Sequence, residues 1–414
     1  MSESREVMEQ KIVVIGAGAA GLMAAGQAAR RGRSVLMIDK NDRPARKVMI
    51  TGKGRCNVTN DCDNETFLKN IRSNPRFLYS SIAGFSTADT MEFFENLGVR
   101  LKTERGNRVF PVSDRAADIV DALSAFAKSA GARYQKGRVE KILSGAEGVE
   151  AVVLADGETI ACTDVIVATG GESYPGTGST GDGYRLARML GHEVTRIRPS
   201  LIPIETEDSF CKEMQGLSLR NVTLTVTKGK KKIFSELGEM LFTHFGVSGP
   251  LVLSASSHMD DEIMGEYVLH IDLKPGLSPE QLDARLLRDF EKYKNKDFLN
   301  ALGDLLPRKM IPVMVRRSDI EGTSKVHQIT RQQRRNLVER VKDFTIIPKA
   351  FRPINEAIVT AGGVSVKQVD PKTMESKLCR GLYFAGEVLD LDAYTGGFNL
   401  QIAFSTGFAA GTHV

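Results

Sequence analysis

The stretch that most constrains this chain is Gly16-Ala17-Gly18-Ala19-Ala20-Gly21, a G-x-G-x-x-G motif close to its start. The motif follows a short β-branched run, Lys11–Ile15, and opens a helical pattern of small residues over 22–31. A second apolar run, "SVLMI", then occupies Ser34–Ile38. Strand, turn, helix and strand in so short a span form a βαβ unit. The sequence therefore predicts an α/β fold with a parallel, Rossmann-type sheet.

The glycines of this motif have separate roles in dinucleotide binding. Gly16 makes the tight turn, Gly18 lets a pyrophosphate approach the backbone, and Gly21 lets helix and strand pack closely. Free N–H groups at the start of the helix, where Ala19 and Ala20 lie, favour a bound phosphate. This context of strand, turn and helix makes the motif a specific indication of a dinucleotide site.

The C-terminal segment favours FAD as the dinucleotide. Asp39 ends the second strand, where a carboxylate can hold ribose hydroxyls. The chain has no second glycine fingerprint, and Gly396-Gly397-Phe398-Asn399 instead leads into a helix from about Leu400. A helix N-terminus aimed at an isoalloxazine ring would stabilise the negative charge of the reduced ring. The alternative interpretation is a final strand and helix with a glycine-rich connection.

Two further strands are predicted to end near the same cofactor. Thr163–Ala168 is followed by Thr169-Gly170-Gly171, and Gly381–Ala385 is followed by Gly386-Glu387. Both runs are apolar and end on glycine, as the first strand does. We expect the residues that follow them to contact FAD.

The middle of the chain has a different sequence pattern. Residues 221–227, "NVTLTVT", alternate with period two and reach a turn at Lys228-Gly229-Lys230, which indicates a hairpin. Capping boxes at Ser278 and Thr330 each predict a helix start. We predict a discontinuous FAD-binding domain over 1–195 and 355–414, an inserted antiparallel β domain over 196–275 and 328–354, and a small helical domain over 276–327.

Composition narrows the class of protein. Hydrophobic residues make up 42% of the 414 positions and charged residues 26%, as in ordinary globular proteins. No apolar run is long enough to predict a membrane span. The five cysteines are scattered, which argues against a disulfide framework and against a metal site, and favours reduced thiols in the cytoplasm. The net charge of +5 permits a polyanionic partner without requiring one.

Residues 50–60, "ITGKGRCNVTN", combine two glycines, two cations, a cysteine and an Asn-Val-Thr triplet. The triplet is a formal glycosylation acceptor, but the chain start shows no signal-peptide pattern, so we expect no glycan there. An ordinary surface loop remains the alternative interpretation. The segment gains meaning only together with the other motifs.

Five segments together resemble the BaiN/YhiN-like flavoproteins, also labelled aminoacetone oxidase family FAD-binding enzymes. These segments are "GAGAAGLMAA", "TGKGRCNVTN", "ATGGESYPGTGSTGDGY", "LFTHFGVSGP" and "GLYFAGEVLDLDAYTGGFN". The resemblance runs from Lys11 to the C-terminus. It implies a Rossmann-type FAD domain interrupted by a β-barrel-like domain and a small helical domain, in agreement with the pattern of the chain.

The resemblance also implies which residues approach the cofactor. Backbone from Gly52 to Asn57 is expected to lie over FAD where side chains cannot fit. Lys53 and Arg55 can offset phosphate or reduced-flavin charge. The polar, glycine-rich run Thr177–Tyr184 suits a second loop near the cofactor, with a crossover turn as the alternative. Further cofactor contacts are expected at Lys40, Lys47, Gly54, Cys56, Thr59, Val139, Thr180 and Gly181.

Three side chains are candidates for proton transfer. Cys56 is either a proton donor near the flavin or a small buried residue that packs, and inert cysteines are the commoner case. His244, between two phenylalanines at a strand end, is the best imidazole available, although a lone histidine is more often structural. Tyr394 beside Gly396-Gly397 is the alternative donor. The sequence does not choose among them.

The resemblance implies reduction of a carbon–carbon double bond conjugated to a carbonyl, with NAD(P)H as a transient reductant. For YhiN-like members the substrate is uridine in large-subunit ribosomal RNA, which gives dihydrouridine, and for BaiN-like members it is a steroid enone. The basic pI and the lysine hairpin favour RNA. The alternative function is that of a small-molecule enone reductase or an amine oxidase. A third possibility is a flavin-binding protein without turnover. The sequence does not indicate the oligomeric state.

Overall fold

The computed structural model describes residues 11–414. Its contacts divide the chain into two units, one containing the described residues up to Ser200 together with Ile354–Val414, and the other Leu201–Pro353. Each unit encloses its own cluster of buried apolar side chains. Among the described residues, no helix is both long and apolar enough to cross a membrane.

The first unit begins with a βαβ unit, as predicted. Its strands before the insertion are β1 (Lys11–Ile15), β2 (Ser34–Asp39), β3 (Thr59–Asn60), β4 (Leu101–Glu104), β5 (Arg108–Pro111), β6 (Arg133–Lys136), β7 (Val139–Gly145), β8 (Gly148–Leu154), β9 (Thr159–Ala161), β10 (Asp164–Val167) and β11 (Arg198–Ser200). Its helices there are α1 (Ala19–Arg30), α2 (Arg46–Ile50), α3 (Asn64–Lys69), α4 (Tyr79–Gly84), α5 (Thr87–Asn96), α6 (Ala116–Ser129) and α7 (Asp182–Met189). Helix α1 begins three residues earlier than the small-residue pattern indicated.

The second unit is built on one antiparallel sheet. Its strands are β12 (Ile204–Thr206), β13 (Ser218–Lys228), β14 (Lys231–Phe242), β15 (Gly246–Ser248), β16 (Tyr267–Asp272), β17 (Phe344–Ile346) and β18 (Pro348–Phe351). Its helices are α8 (Phe210–Glu213), α9 (Pro250–Ser256), α10 (Pro279–Lys292), α11 (Phe298–Ala301), α12 (Ile311–Arg317) and α13 (Arg331–Lys342). The strand order is β17-β16-β13-β14-β15-β12-β18. Because the edge strands β17 and β18 are separated only by Ile347, the sheet must curl until its edges meet, which gives it a barrel-like form.

The local signals in this unit are confirmed. Strands β13 and β14 form the predicted hairpin, and alternate residues of β13, among them Leu224 and Val226, are buried. Both capping boxes exist, since Ser278 caps α10 and Thr330 caps α13. The buried cluster contains side chains of the sheet and of 276–327 together. A separate helical domain over 276–327 stays a prediction.

The chain then returns to the first unit with β19 (Val359–Ala361), β20 (Leu382–Phe384) and α14 (Phe398–His413). The central sheet has the order β20-β10-β1-β2-β6, and every neighbouring pair in it is parallel. Its middle strands are apolar on both faces, because helices cover both sides of such a sheet. The prediction of two more strands beside the βαβ unit is thus confirmed.

Helix α14 packs in parallel against α1 through small residues. A Cβ atom on Gly407 would lie 2.5 Å from the carbonyl oxygen of Ala20, and one on Gly411 would lie 2.4 Å from that of Ala24. Only glycine permits so close an approach of the two backbones. Since the matched positions advance by four residues on both helices, the two axes run in the same direction.

Candidate functional site

The fingerprint loop between β1 and α1 has the geometry that its glycines predict. Gly16 has φ +98°, and a Cβ on Gly21 would lie 1.9 Å from the carbonyl oxygen of Gly16. By contrast, no atom lies within 4 Å of a Cβ built on Gly18. Gly18 is also the N-cap of α1 and provides no side-chain acceptor for the first N–H groups. The loop is therefore closed against the protein at Gly16 and Gly21 and open at Gly18, where a phosphate is expected.

Asp39 holds this loop in place. Its carboxylate accepts hydrogen bonds from the backbone N–H of Ala17 and of Asn41, both at 2.8 Å. Because the carboxylate is anchored at the end of β2, its position relative to the loop is fixed. The predicted contact of Asp39 with a ribose stays a prediction.

A cleft at the carboxyl ends of β1 and β2 contains several of the predicted residues. The Oγ1 atom of Thr169, one of them, is buried and has no hydrogen-bond partner within the protein. A buried polar atom without a partner is unusual and is explained if a ligand supplies one. The lining residues are Ile15, Gly16, Ile38, Asp39, Lys40, Gly137, Arg138, Val139, Thr169, Gly178 and Asp182.

Ion pairs narrow this cleft. Lys40 pairs with Asp182 at 2.6 Å and also contacts Thr180, and Arg138 reaches Asp182 at 3.2 Å. Burial alone would raise the pKa of Asp182, but the hydrogen bond and charge of Lys40 hold that pKa below its usual value. The enclosed part of the cleft measures about 40 Å³, and the rest is open to solvent. Sequence reasoning did not single out Arg138, which belongs to no motif, or Asp182, which lies within the Thr177–Tyr184 run.

A second ion pair joins two predicted cofactor residues. The Nζ atom of Lys47 lies 2.8 Å and 3.1 Å from the two carboxylate oxygens of Glu387 and donates to Ser173 at 2.6 Å. Glu387 also accepts from the backbone N–H of Thr360 at 2.9 Å. The network connects the segment after β2 with the segments after β10 and β20.

The remaining glycines near this network are sites of close approach. Gly170 has φ +72°, and a Cβ on Gly171 would lie 2.4 Å from Oγ1 of Thr360. Gly181, with φ +75°, is the N-cap of α7. A Cβ on Gly386 would lie 2.8 Å from the Cβ of Ala20. These glycines therefore lie where neighbouring segments pack closely against the backbone.

Residues 52–56 have an unusual backbone. Gly52, Lys53, Gly54 and Cys56 all have positive φ, between +57° and +83°. Lys53 is exposed. Arg55, expected to offset cofactor charge, contacts Glu104, lies 2.7 Å from Asp114 and stacks on a phenylalanine ring. Its charge is thus already balanced within the protein, and its role towards the cofactor stays a prediction.

This loop meets the N-terminus of α14. The side-chain amide of Asn60 donates to the carbonyl of Gly396 at 3.0 Å, and Thr59 donates to Gln401 at 2.6 Å. With its amide oxygen turned towards Gly397, Asn57 accepts from that residue's N–H at 2.9 Å. A Cβ on Gly397 would lie 2.3 Å from the carbonyl of Thr59. Two motifs far apart in sequence are brought together here.

Cys56 lies wholly inside the protein. Its exposed fraction is 0%, and burial raises the pKa of its thiol to about 12 despite a hydrogen bond with Thr51. The thiol is therefore neutral at physiological pH. This environment is typical of a packing cysteine, the second of the two predicted roles.

The other donor candidates lie in different units. Tyr394 belongs to the first unit, where Arg72 stacks over its ring and Asn399 donates to its carbonyl oxygen at 3.2 Å. His244 belongs to the second unit, lies between β14 and β15, is exposed and packs edge-on against Phe245. Phe398, which begins α14, is buried against Phe67.

Helices α1 and α14 together offer two N-termini to one extended ligand. Because Gly407 lies level with Ala20, α14 begins eight residues, or about 12 Å, beyond the start of α1. Neither helix has a side-chain cap. This offset is of the scale of the ribityl chain that separates the pyrophosphate of FAD from its ring. With the open face at Gly18 and the unpartnered Thr169, the residues present fit FAD.

The comparisons with known proteins agree with this assignment. The chain is 33% identical to the ribosomal RNA dihydrouridine synthase of Haemophilus influenzae and 32% identical to that of Escherichia coli, over 96% of each chain in both cases. It is 30% identical to the 3-dehydro-bile acid delta(4,6)-reductase of Clostridium scindens, over 97% of this chain and 98% of that protein. A 3-ketosteroid-delta4-(5alpha)-dehydrogenase from Rhodococcus jostii shares the fold, with a TM-score of 0.53, 14% identity, and coverage of 99% of this chain and 98% of that one.

A family model also matches the chain. The model described as HI0933-like protein Rossmann domain matches residues 10–413. This match spans nearly the whole chain. The protein therefore belongs to the HI0933-like family of Rossmann-type, FAD-dependent oxidoreductases.

Proposed function

We propose that this protein reduces a carbon–carbon double bond conjugated to a carbonyl, and that its substrate is uridine in large-subunit ribosomal RNA. The observation that carries the proposal is the parallel, offset pair of helices α1 and α14, each of which starts without a side-chain cap. One N-terminus suits a pyrophosphate and the other suits a ring that becomes negatively charged on reduction. A site of this kind is suited to hydride transfer.

The protein's own groups would hold the cofactor and the substrate. Bound FAD, once reduced by NAD(P)H, would supply a hydride for the β-carbon of the substrate, which is C6 in uridine. The N–H groups at the start of α14 and the positive end of its dipole would lie against the negative edge of the ring. Asn57 and Asn60 fix the Gly396–Gly397 turn from which that helix starts. This arrangement needs no conformational change when negative charge develops.

The α-carbon, C5 in uridine, must receive a proton. Cys56, Tyr394 and His244 remain the proposed donors, with water as the alternative. The burial of Cys56 and its raised thiol pKa favour Tyr394 or His244 over it. The relative activities of the three single variants would choose among them.

Basic side chains of the second unit support an RNA substrate. On α13, Arg331, Arg335 and Arg340 are exposed, and Glu339 is the only acidic residue of the helix. Lys230, Lys231 and Lys232 are exposed at the hairpin tip. Such cations suit a phosphate backbone. Two relatives are ribosomal RNA dihydrouridine synthases, which supports the same substrate. The target uridine would have to be unstacked before it could reach the ring.

A small-molecule enone is the second candidate substrate. It is favoured by the relative named a bile acid reductase, whose identity and coverage nearly equal those of the RNA-modifying relatives. The same chemistry would serve both substrates, since each has a C=C bond conjugated to a carbonyl. The proposals differ in whether the exposed cations matter.

One experiment separates these alternatives. Purified holoenzyme is incubated anaerobically with NADPH or NADH and either ribosomal RNA lacking dihydrouridine or a steroid enone. The proposal expects oxidation of the nicotinamide and a new dihydrouridine mapped in the large-subunit RNA. It also expects R331Q/R335Q/R340Q to lose activity on RNA.

If the enzyme reduces only the enone, and the α13 variant reduces it as fast as wild type does, the proposed substrate becomes the small molecule instead of RNA. Bound FAD that neither nicotinamide reduces would instead indicate another electron donor. Reduced enzyme that converts neither substrate would overturn the proposed reaction.

A further inference from the structure

The segment after α3 pairs with the segment that precedes α14. Ile71 and Ala393 form an isolated antiparallel bridge, the N–H of Arg72 donates to the carbonyl of Asp392 at 2.8 Å, and the N–H of Tyr394 donates to that of Asn70 at 3.1 Å. Neighbouring residues of paired strands point to opposite faces. Ile71 and Ala393 are buried in the core, so Arg72 and Tyr394 share the other face.

Arg72 lies in this face, partly exposed, and one of its guanidinium nitrogens has no polar partner. Its Nε atom is buried and makes no hydrogen bond, and its Cζ atom lies 5.7 Å from the centre of the Tyr394 ring. The nearby carboxylate of Asp392 accepts from Ser73 at 2.6 Å and from Ser200 at 2.9 Å. Within residues 11–414 no carboxylate forms an ion pair with Arg72.

An arginine in this state needs an explanation. Placing a cation partly out of water is unfavourable unless an acceptor or an opposite charge compensates for it. Stacking on Tyr394 offsets only part of that free energy, because a cation–π contact leaves the N–H donor without an acceptor. The missing acceptor is therefore expected to come from a ligand.

The position of Arg72 indicates which ligand. Tyr394 lies two residues before Gly396 and four before the start of α14. The Arg72–Tyr394 face is thus close in sequence to the N-terminus of α14, which would lie against the flavin ring. It belongs to the opposite end of the site from the fingerprint loop. A group at that end would meet the substrate rather than the phosphates.

We propose that Arg72 binds the carbonyl oxygen that is conjugated to the substrate's double bond. The proposal rests on the proposed function. A hydride brings two electrons and forms the new C–H bond at the β-carbon, while the π electrons of the C=C bond move towards the carbonyl oxygen to form an enolate. Arg72 donates hydrogen bonds to this oxygen as its negative charge grows and keeps all its own protons. Protonation of the α-carbon then restores the carbonyl.

Arginine suits this role for two reasons. Its guanidinium stays charged at all relevant pH values, so it stabilises the enolate without protonating it. Its fixed, planar donors also orient a flat ring such as uracil or a steroid enone. The oxygen of uridine concerned is the one on C4, which is conjugated to the C5=C6 bond.

Binding of an enolate mimic tests this role without turnover. The probe is 4-nitrophenolate at pH 8.5, a planar anion with its charge on a ring oxygen, titrated into holoenzyme by calorimetry. R72Q should weaken its binding about tenfold or more, and R72K should lie between R72Q and wild type. R76Q is the matched control, because Arg76 lies four residues away and is exposed, and it should bind the probe as wild type does.

Turnover provides the second measurement. With whichever substrate the wild type reduces, R72Q should lower kcat about 100-fold or more, a typical loss for one oxyanion donor, while KM changes less. Its FAD absorbance and its unfolding midpoint should not fall, because an uncompensated cation has been removed. Loss of activity together with a lowered midpoint would indicate a structural role and would overturn the proposal.

The two proposals can fail separately. Unchanged 4-nitrophenolate affinity in R72Q overturns the role of Arg72 even if the wild type reduces uridine. Conversely, weakened binding in R72Q supports the anion site even if neither substrate is reduced. Should R72Q fail to retain FAD, R72K decides in the same assays, and wild-type affinity and turnover in R72K would overturn the proposal.

Discussion

The two ends of the proposed cofactor site are built in different ways. At the start of α1 the protein presents mainly backbone, closed at Gly16 and Gly21 and open at Gly18, and the nearby charges of Lys40 and Asp182 satisfy each other. At the start of α14 side chains from distant segments converge, and the Nε atom of Arg72 has no hydrogen-bond partner. One end is suited to a constant ligand, the phosphates. The other end keeps a hydrogen-bond donor available for a group that changes charge.

The largest expected effect concerns the backbone end. Gly21→Ala places a Cβ 1.9 Å from the carbonyl oxygen of Gly16, a main-chain atom that cannot move aside. We expect a loss of about 3 kcal/mol or more in unfolding free energy and little soluble protein. Gly18→Ala, which meets no atom within 4 Å, should fold normally.

The same pair of variants distinguishes the effect of packing on stability from the effect of phosphate approach on FAD affinity. Gly18→Ala should weaken FAD at least about tenfold, equivalent to about 1.4 kcal/mol, in a fluorescence titration of apoprotein. Wild-type FAD affinity in Gly18→Ala would mean that the pyrophosphate does not approach this loop. Equal stability of the two variants would contradict the steric account.

The second effect concerns the end at α14. Gly397 has φ +98°, and a Cβ there would lie 2.3 Å from the carbonyl of Thr59. Gly397→Ala should therefore lower the unfolding free energy by about 2–3 kcal/mol, measured by chemical denaturation. Gly176→Ala is the control, since Gly176 is exposed and its Cβ would meet nothing, and it should change stability by less than about 0.5 kcal/mol. Similar changes in unfolding free energy for both variants would show that the loop containing Thr59 and helix α14 do not stabilise each other.

The contrast between the two ends also explains what the sequence could predict. The βαβ unit, the fingerprint turn, the hairpin and the capping boxes are local, because each depends on residues a few positions apart. Their signals are steric or periodic and can be read from a single chain. The second sheet's curled form follows only once the strand order is known, since Ile347 alone separates its two edges.

The partners of the candidate site's side chains were beyond such reasoning. Arg72 faces Tyr394 only because Ile71 pairs with Ala393, and "NIRSNP" matches no motif. Arg55 was expected to meet cofactor charge, yet Glu104 and Asp114 reach it from another hairpin and its neighbourhood. Ion-pair partners are chosen by tertiary packing, which spacing along the chain does not encode.

A smaller effect is expected at the network of Lys47 and Glu387. Lys47 and Glu387 are both partly buried, with side-chain exposures of 23% and 21%. Lys47→Met leaves the carboxylate with Ser173 and the N–H of Thr360, so stability should fall by about 1–2 kcal/mol. Lys69→Met breaks the exposed pair with Glu65 and should give no measurable change. If the two variants behave alike, the network does not connect the segments.

The Cys56 variant should show the smallest effect, and it tests whether Cys56 is the proton donor. Cys56→Ala should lower stability by about 1 kcal/mol at pH 7 and leave turnover nearly unchanged, since the thiol packs in the core. Burial raises the pKa of the folded thiol from 9.0 to about 12, so folding favours the protonated form. The stability due to this thiol is complete below pH 9 and is lost as the pH rises towards 12. The difference between wild type and variant in urea denaturation should therefore shrink above pH 9. A large fall in turnover with FAD still bound would instead make Cys56 the proton donor.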